Sequence, residues 1–374
     1  MAHPATTPPP ITPSAITPRM SLWLDAIRAA AALAVMAGHG VQQGLYSGPW
    51  PFSIALQQNA MVVFFVLSGL MIAGSTDSKP ASAADYALAR MLRILPVALP
   101  ALALSLLAAA WAQSRGVNLG DPDTSATMPL WPDTLRAMLF LSDSWHLGLW
   151  YNPPWWSLCY EVWFYALFGA LTFLKGARRI ATVAVMALVA GPNILLMLPV
   201  WWTGVWIARN PALWRMTRAQ AWLRLWLSIA MLGVQPQIAV PMQKVFVLAA
   251  PWALGHALYA PSYLVLALAL ALGLTGLSHL ADSALPDITR LAGPVRRAAG
   301  MSFSLYVLHW PLIGVLKILH IAAGANIFAY AALLAIIVAA STLFAMATEA
   351  QRPALRARIA AFRARRPTMA AAAS

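Results

Sequence analysis

The chain has 374 residues, of which 61% are hydrophobic and 10% charged, with 25 Lys and Arg against 11 Asp and Glu for a net charge of +14. A soluble domain averages about 25% charged and about 45–50% apolar residues, so a water-soluble globule of this length could not hide so much apolar surface. Disorder is excluded outside the ends, and the single cysteine, Cys159, excludes a disulfide scaffold. What remains is an all-α integral membrane protein, and the basic excess becomes a question of where it lies, because a nucleic-acid footprint needs basic residues clustered on a soluble face.

Residues 1–20 are rich in Pro and Thr, with Pro8, Pro9 and Pro10 in a row, and read as a flexible tail with no apolar core of a signal peptide. A membrane span needs about 20 mostly apolar residues. Candidates follow near 22–42, 55–74, 92–113, 155–175, 179–193, 194–208, 222–236, 259–280, 301–322 and 325–348. The stretch 134–150 is short and carries Arg136, Asp143 and His146, so it reads as an interfacial or re-entrant piece. The longest stretch outside the spans is 237–258. Residues 21–350 form one membrane domain, and 351–374 a basic, then Ala-rich tail suited to anionic lipid.

The positive-inside rule tests this count. Basic residues gather at Arg19, at Lys79, Arg90 and Arg93, at Lys175, Arg178 and Arg179, at Arg209 to Arg224, at Arg290 to Arg297, and in the tail from Arg352 to Arg366. Ten spans put every group on one side, with both termini cytoplasmic. An eleventh span over 134–150 would invert all the later groups.

A charge at the bilayer centre costs on the order of 2.5–3.5 kcal/mol, so charges inside spans mark the first candidates for function. The first span carries Asp25, Arg28 and His39. Arg28 and His39 are 11 residues apart, about 1100° around a helix and about 16 Å along it, so they share a face. Asp25 is placed to pair with Arg28 at i, i+3. The fourth span carries Glu161, expected in the outer half at the depth of His39, and the ninth carries Ser302, Tyr306 and His309 on one face. These groups predict one wet cavity within the bundle.

Blander readings compete. A lone intramembrane His is usually a helix-packing donor. Asp25–Arg28 could be a structural pair, and Trp155 and Trp156 ordinary interfacial belt residues. Ser157 lacks a nucleophile elbow, Cys159 reads as apolar filler, and Ser68 and Gly69 read as close-packing residues. No His, Cys, Asp and Glu grouping has metal-ligand spacing, so no metal site is expected.

Five elements in order resemble the acyltransferase-3 family of integral membrane acyltransferases. They are Arg28 and His39 within a span that opens LDAIRAAAAL, VVFFVLSGLMI at 62–72, Arg90-Met91-Leu92-Arg93, Trp156-Ser157-Leu158-Cys159-Tyr160-Glu161, and Ser304-Leu305-Tyr306-Val307-Leu308-His309-Trp310-Pro311. Glu349 and Pro353 depart from the family's closer Glu-x-Pro spacing, so no role is carried onto Glu349. The resemblance runs from residue 21 to about 353, with no hydrolase domain of the SGNH type following it. It implies transfer of an acyl group, commonly acetyl, from cytoplasmic acyl-CoA to a hydroxyl of a cell-envelope sugar or glycolipid. The setting would be a bacterial inner membrane, and a separate periplasmic protein is one conceivable acyl recipient.

On that resemblance Arg90, Arg93, Ser302, Tyr306 and His309 hold the donor, with Arg forks on its phosphates. His39 acts as base or transient acyl carrier, Glu161 orients it, and Arg28 steadies donor or helix. Trp155, Trp156 and Ser157 meet the acceptor. The rival reading is a transporter of a small polar or anionic substrate along the same polar stripe, although the inverted repeats common in transporters are not seen.

Overall fold

A computed structural model describes residues 16–52, 55–78, 82–120, 129–145, 148–249 and 252–370. The expected flexible tail lies outside them except for its last residues, and so do Lys79 and His146. The described residues are helical, with no strand among them. The longer helices are α1 (Pro18–Gln42), α2 (Ala55–Ser78), α3 (Ala83–Ser114), α4 (Leu130–Met138), α5 (Trp155–Phe173), α6 (Gly176–Ala208), α7 (Arg218–Ala249), α8 (Ala260–Ala281), α9 (Ala292–Ile318), α10 (Ile327–Ala347) and α11 (Arg352–Ala370).

Local chemistry sets several of the starts. Thr17 Oγ1 accepts from the Met20 amide at 3.2 Å, with Pro18 at the first position of α1, where its missing N–H costs nothing. Ser82 caps α3 by accepting from the Asp85 amide at 3.1 Å while donating to the Asp85 carboxylate at 2.7 Å. Asn326 accepts from the Phe328 and Ala329 amides to start α10.

Eight helical stretches among the described residues are long and apolar enough to cross a membrane: α1, α2, α3, α6, α7, α8, α9 and α10. Large apolar side chains stand exposed on their outer faces, among them Leu188, Leu248, Phe328 and Leu343, as expected of helices facing lipid. α5, at 19 residues and carrying Glu161, is not among these eight. α6, one of the eight, is broken at Gly191, where φ is +81°.

The halves of α6 run in opposite directions. Leu188 O, near the end of the first half, accepts from Trp145 Nε1 at 3.1 Å, and Asn193 Nδ2 donates to Ala253 O at 3.1 Å. The second half then runs beside α2 until Arg209, one residue past its end, reaches Asp77 at 2.9 Å. The break comes two residues before the sequence-based boundary between 179–193 and 194–208. Side by side, α2 and α6 touch at glycines: a Cβ on Gly204 would lie 2.1 Å from Val66 O.

The stretch expected to re-enter is a short helix followed by turns. At nine residues, α4 spans only about 13 Å. After it, Phe140 and Asp143 take positive φ values of 55° and 66°. Trp155 Nε1 donates to Ala137 O and Trp163 Nε1 to Phe140 O, which anchors the turn along α5. The chain leaves at the end of the bundle where it arrived, since Ser105 near the end of α3 accepts from Asn152 just before α5.

One expectation is corrected. The stretch 237–258 is not a loop throughout, because α7 continues to Ala249 through Pro236 and Pro241. Prolines break helices in water, whereas neighbouring helices and side chains re-satisfy the freed groups in a membrane bundle. α7 and α8 form an antiparallel pair, with Arg224 on Thr275 at 2.9 Å and Gln235 on Ser262 at 3.2 Å. The basic tail is likewise helical as α11 over Arg352–Ala370, and Arg363 reaches Asp85 at 3.4 Å.

Candidate active site

Two polar cavities lie within the bundle, one toward each end. The arginine cavity, about 290 Å³, is lined by Arg28, Arg90, Arg93, Ser68, Glu161 and Tyr165, together with Ser157, Ser302 and Tyr306. The histidine cavity, about 510 Å³, is lined by His39, Gln42, Gln57, Trp156, His256 and Tyr263, together with Tyr306 and Trp310. Tyr306 and Met61 wall both.

In the arginine cavity Glu161 accepts from Ser68 Oγ at 2.8 Å and from the Tyr165 hydroxyl. Arg93 lines the same cavity as Glu161 and Tyr165, and their charges act on it together with that of Glu349. Arg28 pairs with Asp25 at 3.3 Å, both side chains being 23% exposed. The Arg90 guanidinium sits 5.7 Å from the ring centres of both Tyr86 and Tyr165, and its buried Nε has no protein partner. Glu349, given no role on sequence grounds, accepts from Ser304 at 2.9 Å and pairs with Arg352 at 2.5 Å.

In the histidine cavity His39 Nδ1 lies 2.8 Å from His309 Nε2, with the rings nearly parallel. His309 Nδ1 in turn lies 3.3 Å from Leu305 O. A carbonyl can only accept, so Nδ1 of His309 carries its proton and Nε2 accepts. His39 therefore donates from Nδ1, which leaves a lone pair on its Nε2. Trp310 braces the His39 ring edge-on at 5.1 Å.

The structure places Arg28, Arg90, Arg93, Glu161 and Ser302 along one cavity. It separates Glu161 from His39. A helix beginning at the membrane surface would bring Glu161 to the depth of His39, but α5 begins deeper: Pro154 O, at its start, accepts from Tyr306 OH at 2.8 Å, half-way along α9. Glu161, seven residues further along, is about 10 Å nearer the arginine end. His39 is oriented by His309 instead, so His309 stands behind His39 and lines neither cavity.

Trp155 is not at a rim. Its side chain is 2% exposed, stacked on Phe140, and lines neither cavity. Trp156 does line the histidine cavity, stacked on His256 with ring centres 4.4 Å apart. Ser157 shares a 2.7 Å hydrogen bond with Tyr306 at the boundary between the cavities.

Sequence reasoning missed Ser68 and Tyr165 as partners of Glu161, and His256 with Asp143. Ser68 reads as a packing residue until α5 is laid beside α2. His256 and Asp143 are 113 positions apart, and only the tertiary fold pairs them. Gln57, which donates to Gln42 at 2.8 Å, did leave a signal, because paired Gln57-Gln58 at the start of an apolar span is costly without a wet surrounding.

The profile of an acyltransferase domain matches residues 21–347. No curated protein and no solved structure matches the chain. The matched region holds the two cavities, the arginine cluster and the histidine pair, and the chain belongs to the acyltransferase-3 family of membrane acyltransferases.

Proposed function

We propose that this protein moves an acyl group, acetyl in the first instance, from cytoplasmic acyl-CoA to a hydroxyl of a cell-envelope sugar or glycoconjugate across a bacterial inner membrane. One observation carries the reading: a cationic cavity and a histidine cavity reach into the bundle toward each other and share Tyr306 and Met61 as a wall. A donor taken up at one end and an acceptor taken up at the other can then meet there.

The arginine end is the cytoplasmic end in this reading, because the basic groups of the chain collect there and translocated loops carry few of them. Arg90 and Arg93 face the anionic donor. The free Nε of Arg90 supports a ligand role, since a buried donor without a partner is costly unless something else satisfies it. Arg28 and Glu161 hold the cavity's charges in place, with Asp25 pairing Arg28. Ser302, Ser157 and Tyr306 line the passage. His39, with its Nε2 lone pair in the other cavity, takes the acyl group or the acceptor's proton. A neutral imidazole suits either task near neutral pH. Trp156, stacked on His256, forms part of the wall that would meet the acceptor.

The test is mass spectrometry of envelope glycans and lipids from cells with the protein, without it, and with His39→Ala. An acyl-sized mass loss is expected both without the protein and in the variant, with the variant inserted at normal level. An unchanged acylation pattern in His39→Ala would sink the assignment.

A further inference from the structure

The histidine cavity holds a second imidazole that the reading so far leaves idle. His256 lies on the 3₁₀ turn Gly255–Tyr259 before α8, lines the cavity with His39, and its side chain is one-third exposed. Its Nδ1 is 3.3 Å from Asp143 Oδ2, and its backbone amide donates to the same oxygen at 3.2 Å. Asp143 is fully buried, and Tyr160 OH donates to it at 2.7 Å. Its other oxygen occupies the place where a side chain on Gly255 would begin, 2.1 Å from an added Cβ. The ring of His256 is stacked flat on Trp156.

A carboxylate accepts from Nδ1–H, so Nδ1 is committed and Nε2 of His256 is left for a ligand. A carboxylate also stabilises the imidazolium that forms when Nε2 takes a proton, which is the arrangement an acid–base residue needs. His39 and His256 thus line one cavity, each with Nδ1 engaged and Nε2 free. One is held by a neutral imidazole and the other by an anion, which suits them to different tasks.

We propose that His256, positioned by Asp143, is the base that takes the proton of the acceptor hydroxyl, while His39 carries the acyl group. This rests on the acyl-CoA reading above. His39 Nε2 attacks the thioester carbon, the C–S bond breaks, and coenzyme A leaves as its thiolate. The acceptor oxygen then attacks the acyl carbon as its proton passes to His256 Nε2. The C–N bond to His39 breaks and returns the electron pair to the ring. His256 gives its proton to water at its end of the membrane, and the thiolate takes one from water at the other.

His256→Asn separates the base from a latch, because the Asn amide can still donate to Asp143 while no Nε2 remains. Two readouts are taken with acetyl-CoA. One is exchange of label between acetyl-CoA and free coenzyme A by the purified full-length protein without acceptor. The other is formation of alkali-labile acetyl ester on endogenous glycans in membrane vesicles. The variant is expected to keep exchange at the wild-type rate and to lose ester formation by about 100-fold or more, the usual contribution of a general base. Asp143→Asn should do the same with a smaller loss. Wild-type ester formation by His256→Asn, loss of exchange together with transfer, or ester formation without exchange by the unaltered protein would each overturn the proposal. An unaltered protein giving neither exchange nor ester would instead remove the acyl-CoA reading beneath it.

Discussion

His309→Leu isolates the contact that sets the state of His39. His309 is fully buried, and its Nε2 accepts the His39 Nδ1 proton at 2.8 Å. Leucine fills much of the space and accepts nothing. His39 then keeps its Nδ1 proton without an acceptor, at a cost of about 1–3 kcal/mol for a buried unsatisfied donor, or moves the proton to Nε2 and loses the lone pair facing the cavity. Either way the active form becomes scarcer by that free energy. At about 1.4 kcal/mol per decade, kcat should fall roughly 5- to 150-fold. The arginine cavity is untouched, so KM for acetyl-CoA should not move. The assay is label transfer from acetyl-CoA to glycans in vesicles holding equal amounts of protein. His309→Gln, whose amide oxygen can accept from His39, should recover part of the rate. A folded His309→Leu protein with wild-type kcat, or with a change in KM alone, would refute the reasoning.

Three further outcomes are expected. Arg90→Ala with Arg93→Ala should raise KM for acetyl-CoA at least tenfold, since each lost charge-assisted bond is worth about 1.5–3 kcal/mol; an unchanged KM in vesicle kinetics would remove both from the donor site. Gly204→Val puts atoms where Val66 O now lies and should lower the yield and thermal midpoint of the detergent-solubilised protein, the cost of overpacking being about 1–3 kcal/mol. Trp155→Ala should cost about 3–5 kcal/mol of stability, seen as a lower midpoint in thermal unfolding, because the ring is buried between Phe140 and Ala137 and meets no cavity.

The site was partly legible before the fold was known. Arg28 and Glu161 stand out as charges within apolar spans, and they line one cavity together with Arg90 and Arg93 of the basic group before the third span. The motif around Tyr306 and His309 points to the boundary between cavities, though not to the role of either ring. Depth was not legible. A helix that starts below the surface has the same sequence as one that starts at it, and only Pro154 against Tyr306 shows where α5 begins. That one displacement separates Glu161 from His39 and turns the single expected cavity into two.

Composition and periodicity alone determined the class: a chain this apolar, with backbone groups that must all be satisfied out of water, is helical and membrane-embedded. The stretch 134–150 reads as an interfacial or re-entrant piece because an eleventh span there would put the later basic groups on the wrong side. Tertiary structure decided the partners. His39 with His309, Ser68 with Glu161 and Tyr165, and Asp143 with His256 join residues 93 to 270 positions apart. Helical spacing says which residues share a face of one helix. Which face of another helix lies opposite, and at what height, follows from contacts such as Gly204 on Val66 that carry no periodic signal.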